Sequence, residues 1–168
     1  MAGALIVTAE LGAEDFAWLD RLRTAHYPAE RNRVPAHLTM FHTLPPSAEA
    51  EARSALSRIA AERRPHASIE GLLNLGHGVA FRIVSPELDR IRGDLAGLFH
   101  GMLSAQDAGG WRPHVTIQNK VTAKDARALL ERIEQGFRSM PLVITGLGLH
   151  RYLDGPWKRL ALYPFRGR

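Results

Sequence analysis

Two stretches, His37-Leu38-Thr39-Met40 and His114-Val115-Thr116-Ile117, decide how this chain reads. In a β-strand, residues i and i+2 point to the same face. His37 and Thr39 therefore project together, and so do His114 and Thr116. The alternates Leu38, Met40, Val115 and Ile117 turn the other way, into a core. A face with an imidazole and a hydroxyl, backed by an apolar face, suits a strand that lines a cleft. One such triplet alone would be read as structural. Two of them, each closely preceded by a proline (Pro35, Pro113) and each followed by a helix start, point to function.

Working outward, residues 4–10 form a short apolar, partly β-branched run that predicts a strand. A helix follows, with Gly12 at its start, Phe16, Leu19 and Leu22 on one stripe, and Pro28 past its end. Pro35 and Pro45–Pro46 bracket the first histidine strand. Ser47 is the expected cap of the next helix, with Ala52, Ala55, Leu56 and Ile59 inward and Arg63–Arg64 at its end. Residues 66–73 and 78–84 read as two strands joined through Asn74, Gly76 and Gly78. Ser85–Pro86 starts a helix whose stripe is Leu88, Ile91, Leu95, Leu98, Phe99 and Met102. Thr122, three residues before Asp125, caps the helix after the second histidine strand. Two strands near 141–150 and 157–164 close the chain.

Each half thus reads helix, histidine-bearing strand, helix, strand, strand. The repeat is too long for a solenoid. It predicts a single α+β domain over 1–168 with two similar lobes, near 1–84 and 85–168, exchanging elements and facing each other.

Two such strands offer two imidazoles and two hydroxyls around one volume. Phosphodiester cleavage needs a base for the attacking oxygen and an acid for the leaving oxygen, on opposite sides of phosphorus. Histidine suits both jobs. Threonine hydroxyls can donate to the non-bridging oxygens, where charge accumulates. The arrangement calls for no metal and no cofactor.

Paired His-x-Thr-hydrophobic motifs in a chain of this size resemble the 2H phosphoesterase superfamily, which includes the bacterial RNA 2′,3′-cyclic phosphodiesterases, or 2′-5′ RNA ligases. The resemblance implies a bilobal, pseudo-twofold fold with two antiparallel sheets facing a central cleft and helices outside. It implies hydrolysis of a nucleoside or RNA 2′,3′-cyclic phosphate to a 2′-phosphate. It places His37 at the general acid, His114 at the general base, and Thr39 and Thr116 at the phosphate. Many RNA-processing members carry an arginine three residues after the second threonine; this chain has Asn119, then Lys120. The alternative function is a nucleotide- or RNA-binding module with the same cleft and little activity.

Further substrate-binding candidates are Tyr152 and Trp157, flanking the last turn, where aromatics can stack a base. Arg112 and Lys120 are the candidate phosphate cations. His42, five residues after His37, reads as structural. His77 is an outside candidate, and His26, His66, His100 and His150 show no constellation and read as surface or capping residues.

The 168 residues contain no cysteine, which excludes disulfides, zinc–thiolate sites, iron–sulfur clusters and thiol nucleophiles. Hydrophobic residues at 45% suffice for a packed core. The net charge of +5 tilts the partner toward polyanions, an RNA 3′ end or a small cyclic nucleotide. No apolar run approaches a membrane span, and the N-terminus lacks a basic leader. A cytoplasmic monomer is expected.

Overall fold

A computed structural model describes residues 3–168; Met1 and Ala2, where the expected first lobe begins, lie outside the described residues. The chain runs β1 (Leu5–Leu11), α1 (Ala13–His26), β2 (Leu38–Leu44), α2 (Glu49–Ile59), β3 (His66–Asn74), β4 (Val79–Val84), α3 (Pro86–Leu98), α4 (Ala105–Ala108), β5 (His114–Gln118), α5 (Ala123–Glu134), β6 (Met140–Tyr152) and β7 (Trp157–Pro164). The order β-α-β-α-β occurs twice, as β1-α1-β2-α2-β3 and β4-α3-β5-α5-β6, with α4 inserted and β7 appended.

All strand pairs are antiparallel, along the path β2-β1-β6-β3-β4-β5, with β7 also on β6. The third strand of each repeat pairs with the first strand of the other: β3 with β4, and β6 with β1. Strand β6 also joins the two halves of the sheet, pairing with β3 through Met140 to Val143 and with β1 from Ile144 to Arg151. The end strands β2 and β5 pack against each other, so the sheet curls until its two ends meet. Helix α2 packs behind β6 and β7, α5 behind β3 and β4, and α1 along β5.

The alternation read from the two histidine strands holds. Leu38, Met40, Val115 and Ile117 are completely buried. Two helix starts form as their residues dictate. Ser85 Oγ accepts the Leu88 N–H at 3.1 Å, with Pro86 in the first helical position. Thr122 Oγ1 accepts the Asp125 N–H at 3.1 Å. Each bond satisfies a donor that the helix itself leaves free.

Three expectations are corrected. Ser47 caps nothing: Pro46–Ala48 form a 3₁₀ turn that carries Ser47 inside it, and α2 begins after Ala48 without a side-chain cap. Arg63–Arg64 lie beyond α2, which ends at Ile59 with Arg58 in its last turn. Leu98 is 41% exposed, because α3 ends there and the core is filled by Phe99 instead. Among the described residues, no helix is long and apolar enough to cross a membrane.

Candidate functional site

Both motif histidines are held in the same way. The ring Nδ1 of His37 lies 2.8 Å from the Pro35 carbonyl oxygen, and that of His114 lies 2.7 Å from the Arg112 carbonyl oxygen. A carbonyl only accepts, so each Nδ1 carries a proton and donates it. This fixes the tautomer when the ring is neutral and leaves both Nε2 atoms for external chemistry. The proline before each motif helps set this geometry. It restricts the preceding backbone, and at position 35 it also supplies the accepting carbonyl.

Side chains from the two halves lock the motif strands together. Trp111 Nε1 donates to the Thr39 carbonyl at 2.9 Å, so the segment leading into β5 grips β2. Arg92, from α3, is buried and donates to the carbonyls of Met40 at 3.1 Å and Asp107 at 2.7 Å, its guanidinium lying over the Phe41 ring. Arg23, from α1, makes the matching contact in the other half, donating to the Thr116 carbonyl at 3.0 Å and to Asn32 at 2.8 Å. Each motif strand is thus held by a buried arginine from the first helix of a repeat. Burial lowers the pKa of both arginines from their usual value, and both remain cations.

His37 lies deep in the concave region with part of its ring still open to it. Burial drives its pKa from 6.5 down to about 4; the Pro35 hydrogen bond opposes this, and the charges of Arg23, His150 and His114 add to it. The strands that carry the two motifs pack against each other.

Beside His37 opens a pocket of about 390 Å³, lined by Thr8, Glu10, Phe16, residues 33–37, Thr145, His150, Trp157, Arg159 and Leu162 among others. Trp157 packs between two imidazoles, its ring centroid 4.6 Å from that of His37 and 5.5 Å from that of His150. His150 corrects the sequence reading, which placed it among the surface or capping histidines. It is only 8% exposed, its Nε2 lies 2.9 Å from Thr8 Oγ1, and burial, followed by the charge of Arg159, lowers its pKa to about 4. Its signal was present in Gly148, two residues before it on the same strand face, whose missing side chain leaves room for the ring.

The other candidates are dispersed. Tyr152 pairs with Trp157 across the β6–β7 hairpin, on the same face as His150, but does not line the pocket. Arg112 is exposed and lines a second pocket of about 440 Å³, with Arg82, Arg92, Trp111 and Pro113. Arg82 sits directly across from His114 in the β4–β5 register, a position that sequence alone could not pair with it. Strand β5 stops at Gln118, and Lys120 is an exposed turn residue with φ 64°. His77 donates to the Val121 carbonyl at 3.1 Å and joins neither pocket. His42 is structural: its backbone N–H and Nδ1 both bond Asp107, a buried residue of α4.

The chain is thus a doubled β-α-β-α-β unit with exchanged third strands and a His-x-Thr motif at each of two strands that pack together. The model of the 2′-5′ RNA ligase superfamily matches residues 11–156, and the chain belongs to that family. No curated protein matches it significantly. Among solved structures it is similar to TT0787 of Thermus thermophilus, with 18% identity, 98% of this chain and 99% of that one covered, and a TM-score of 0.67. It is similar to E. coli LigT complexed with ATP, with 18% identity, 98% of both chains covered and a TM-score of 0.59. E. coli LigT complexed with 3′-AMP gives 15% identity, 98% and 99% coverage and a TM-score of 0.57. At these identities the likeness is one of fold.

Proposed function

We propose that the protein is a phosphoesterase that hydrolyses a nucleoside or RNA 2′,3′-cyclic phosphate to the 2′-phosphate, with His37 and His114 as acid and base. The observation that carries this reading is the matched anchoring of the two imidazoles, each donating Nδ1–H to the carbonyl two residues back and each keeping Nε2 free. Adenine nucleotides bound by E. coli LigT are consistent with a nucleotide substrate.

In this mechanism one Nε2 takes a proton from water, and the water oxygen bonds to phosphorus. The P–O3′ bond breaks opposite, and the other ring's Nε2–H protonates the departing O3′. Thr39 and Thr116 donate to the non-bridging oxygens. The balance needs no metal. With His37 as the acid, the phosphate supplies the counter-charge that the free, neutral ring lacks, so binding raises its pKa and draws in a proton.

The test is turnover of the four nucleoside 2′,3′-cyclic monophosphates, with products separated by ³¹P NMR. A 2′-phosphate product that disappears in His37→Ala and His114→Ala upholds the reading. Tight nucleotide binding without turnover identifies a binding module instead.

A further inference from the structure

The pocket beside His37 has chemistry that the two motifs leave unused. Its polar floor is built over one residue. Gly148 lies across from Thr8 in the β1–β6 register. A Cβ there would sit 2.6 Å from Thr8 Oγ1, 2.9 Å from His150 Nε2 and 3.1 Å from the Glu10 carboxyl carbon. Three polar side chains from two strands converge above a bare α-carbon, and any larger residue would displace them.

The protons in this cluster can be placed. Thr8 Oγ1 is 3.2 Å from Glu10 Oε2 and 2.9 Å from His150 Nε2. A carboxylate only accepts, so the hydroxyl gives its one proton to Glu10 and receives one from His150 Nε2–H. Neutral His150 then presents Nδ1 as an acceptor. Glu10 is paired with Arg159 from β7, and its side chain is 16% exposed. Each carboxylate oxygen has lone-pair capacity beyond these bonds. The floor is therefore rich in acceptors; Phe16, Pro156, Trp157 and Leu162 give flat or apolar walls, and Arg33 and Arg159 also line the pocket.

We propose that the His37 pocket is the nucleobase subsite and selects guanine. This rests on the reading of His37 and His114 as the phosphate site. A planar heterocycle fits between Trp157 and the apolar wall, next to the phosphate that His37 contacts. Guanine offers adjacent N1–H and N2–H donors to the Glu10 carboxylate. Adenine presents an acceptor at N1 and leaves the floor unpaired, which costs affinity in a buried site.

The test is calorimetric titration of the full chain with guanosine, inosine and adenosine, which carry no phosphate. Guanosine is expected to bind about tenfold or more tighter than adenosine, with inosine between them. Glu10→Gln is expected to bring guanosine and adenosine within about threefold of each other, and Trp157→Leu to weaken all three. Should Glu10→Gln unfold on a melting curve, Glu10→Asp withdraws the carboxylate while keeping its charge and is expected to lose the same preference. Absence of nucleoside binding, equal affinities in the wild type, or a preference that survives the Glu10 variants would each overturn the proposal. Nucleoside binding without turnover of any cyclic phosphate would sink the catalytic reading and leave this one standing; base-indifferent turnover with no nucleoside affinity would do the reverse.

Discussion

His37 and His114 are hydrogen-bonded alike, each to the carbonyl oxygen two residues before it, Pro35 at 2.8 Å and Arg112 at 2.7 Å. Their surroundings differ. His37 lines a pocket with Trp157 against its ring, whereas His114 lies outside that pocket and has Arg82 across from it in the β4–β5 register. The two rings are alike in their anchoring and unlike in what lies beside them.

His37→Ala and His114→Ala are each expected to lower kcat for a 2′,3′-cyclic nucleotide by about 10²–10⁴. The double variant should fall little further, since the rings act as a unit. Steady-state kinetics beside melting curves checks this. A loss of folding equal to the loss of activity would count against a chemical role.

With His37 as the acid, its protonated fraction in the free protein shrinks as pH rises above about 4. A bound phosphate favours the imidazolium and moves this limb upward. The alkaline limb of kcat is therefore expected at higher pH than that of kcat/KM. Coincident limbs in the two profiles would contradict phosphate-coupled protonation of His37.

Thr39→Val and Thr116→Val keep the shape and remove one hydroxyl donor each. Each is expected to reduce kcat/KM by about 10–10³, the range for losing a donor to developing charge. Melting temperature should change little, because both side chains are only half-buried.

Acid should destabilise the fold through His150 and, more weakly, through cleft-facing His37. Both have folded-state pKa values depressed to about 4 from 6.5. Between these values the unfolded chain binds more protons, so stability falls as pH drops through 6.5 and levels off below about 4. For His150 the penalty is roughly 3 kcal/mol at full extent. Urea midpoints at pH 7 and pH 5 should differ in the wild type and differ less in His150→Asn.

Arg92→Met leaves the carbonyls of Met40 and Asp107 without their donor. The expected cost is about 2–4 kcal/mol, since two buried acceptors lose a charged partner. Denaturant unfolding should show this. Because Met40 follows Thr39, kcat is expected to fall as well, while the exposed-pocket variant Arg112→Ala should leave stability unchanged.

The strands, the buried face of each motif strand and two helix starts were legible because each rests on local information: period-two alternation, bracketing prolines, and caps at Ser85 and Thr122. What escaped was set by partners far along the chain. Arg23 and Arg92 sit on helices where an arginine ordinarily faces water, and only the fold brings Thr116 and Met40 carbonyls to them. His150 gains meaning from Thr8 on another strand. Helix α4 spans four residues, too few for any periodicity, yet it delivers Asp107 to His42. Lys120 would reach a cleft only on a strand that continued to it, and β5 ends two residues earlier.

The crossing of β3 and β6 between the two repeats bears on ancestry. One β-α-β-α-β unit by itself would project its last strand away from its own sheet and leave β1 or β4 with a bare edge. Two identical units would cure this by trading those strands, as in a swapped homodimer. The present chain has the form of such a dimer fused end to end, a form in which the two halves are free to carry different side chains around their motif histidines.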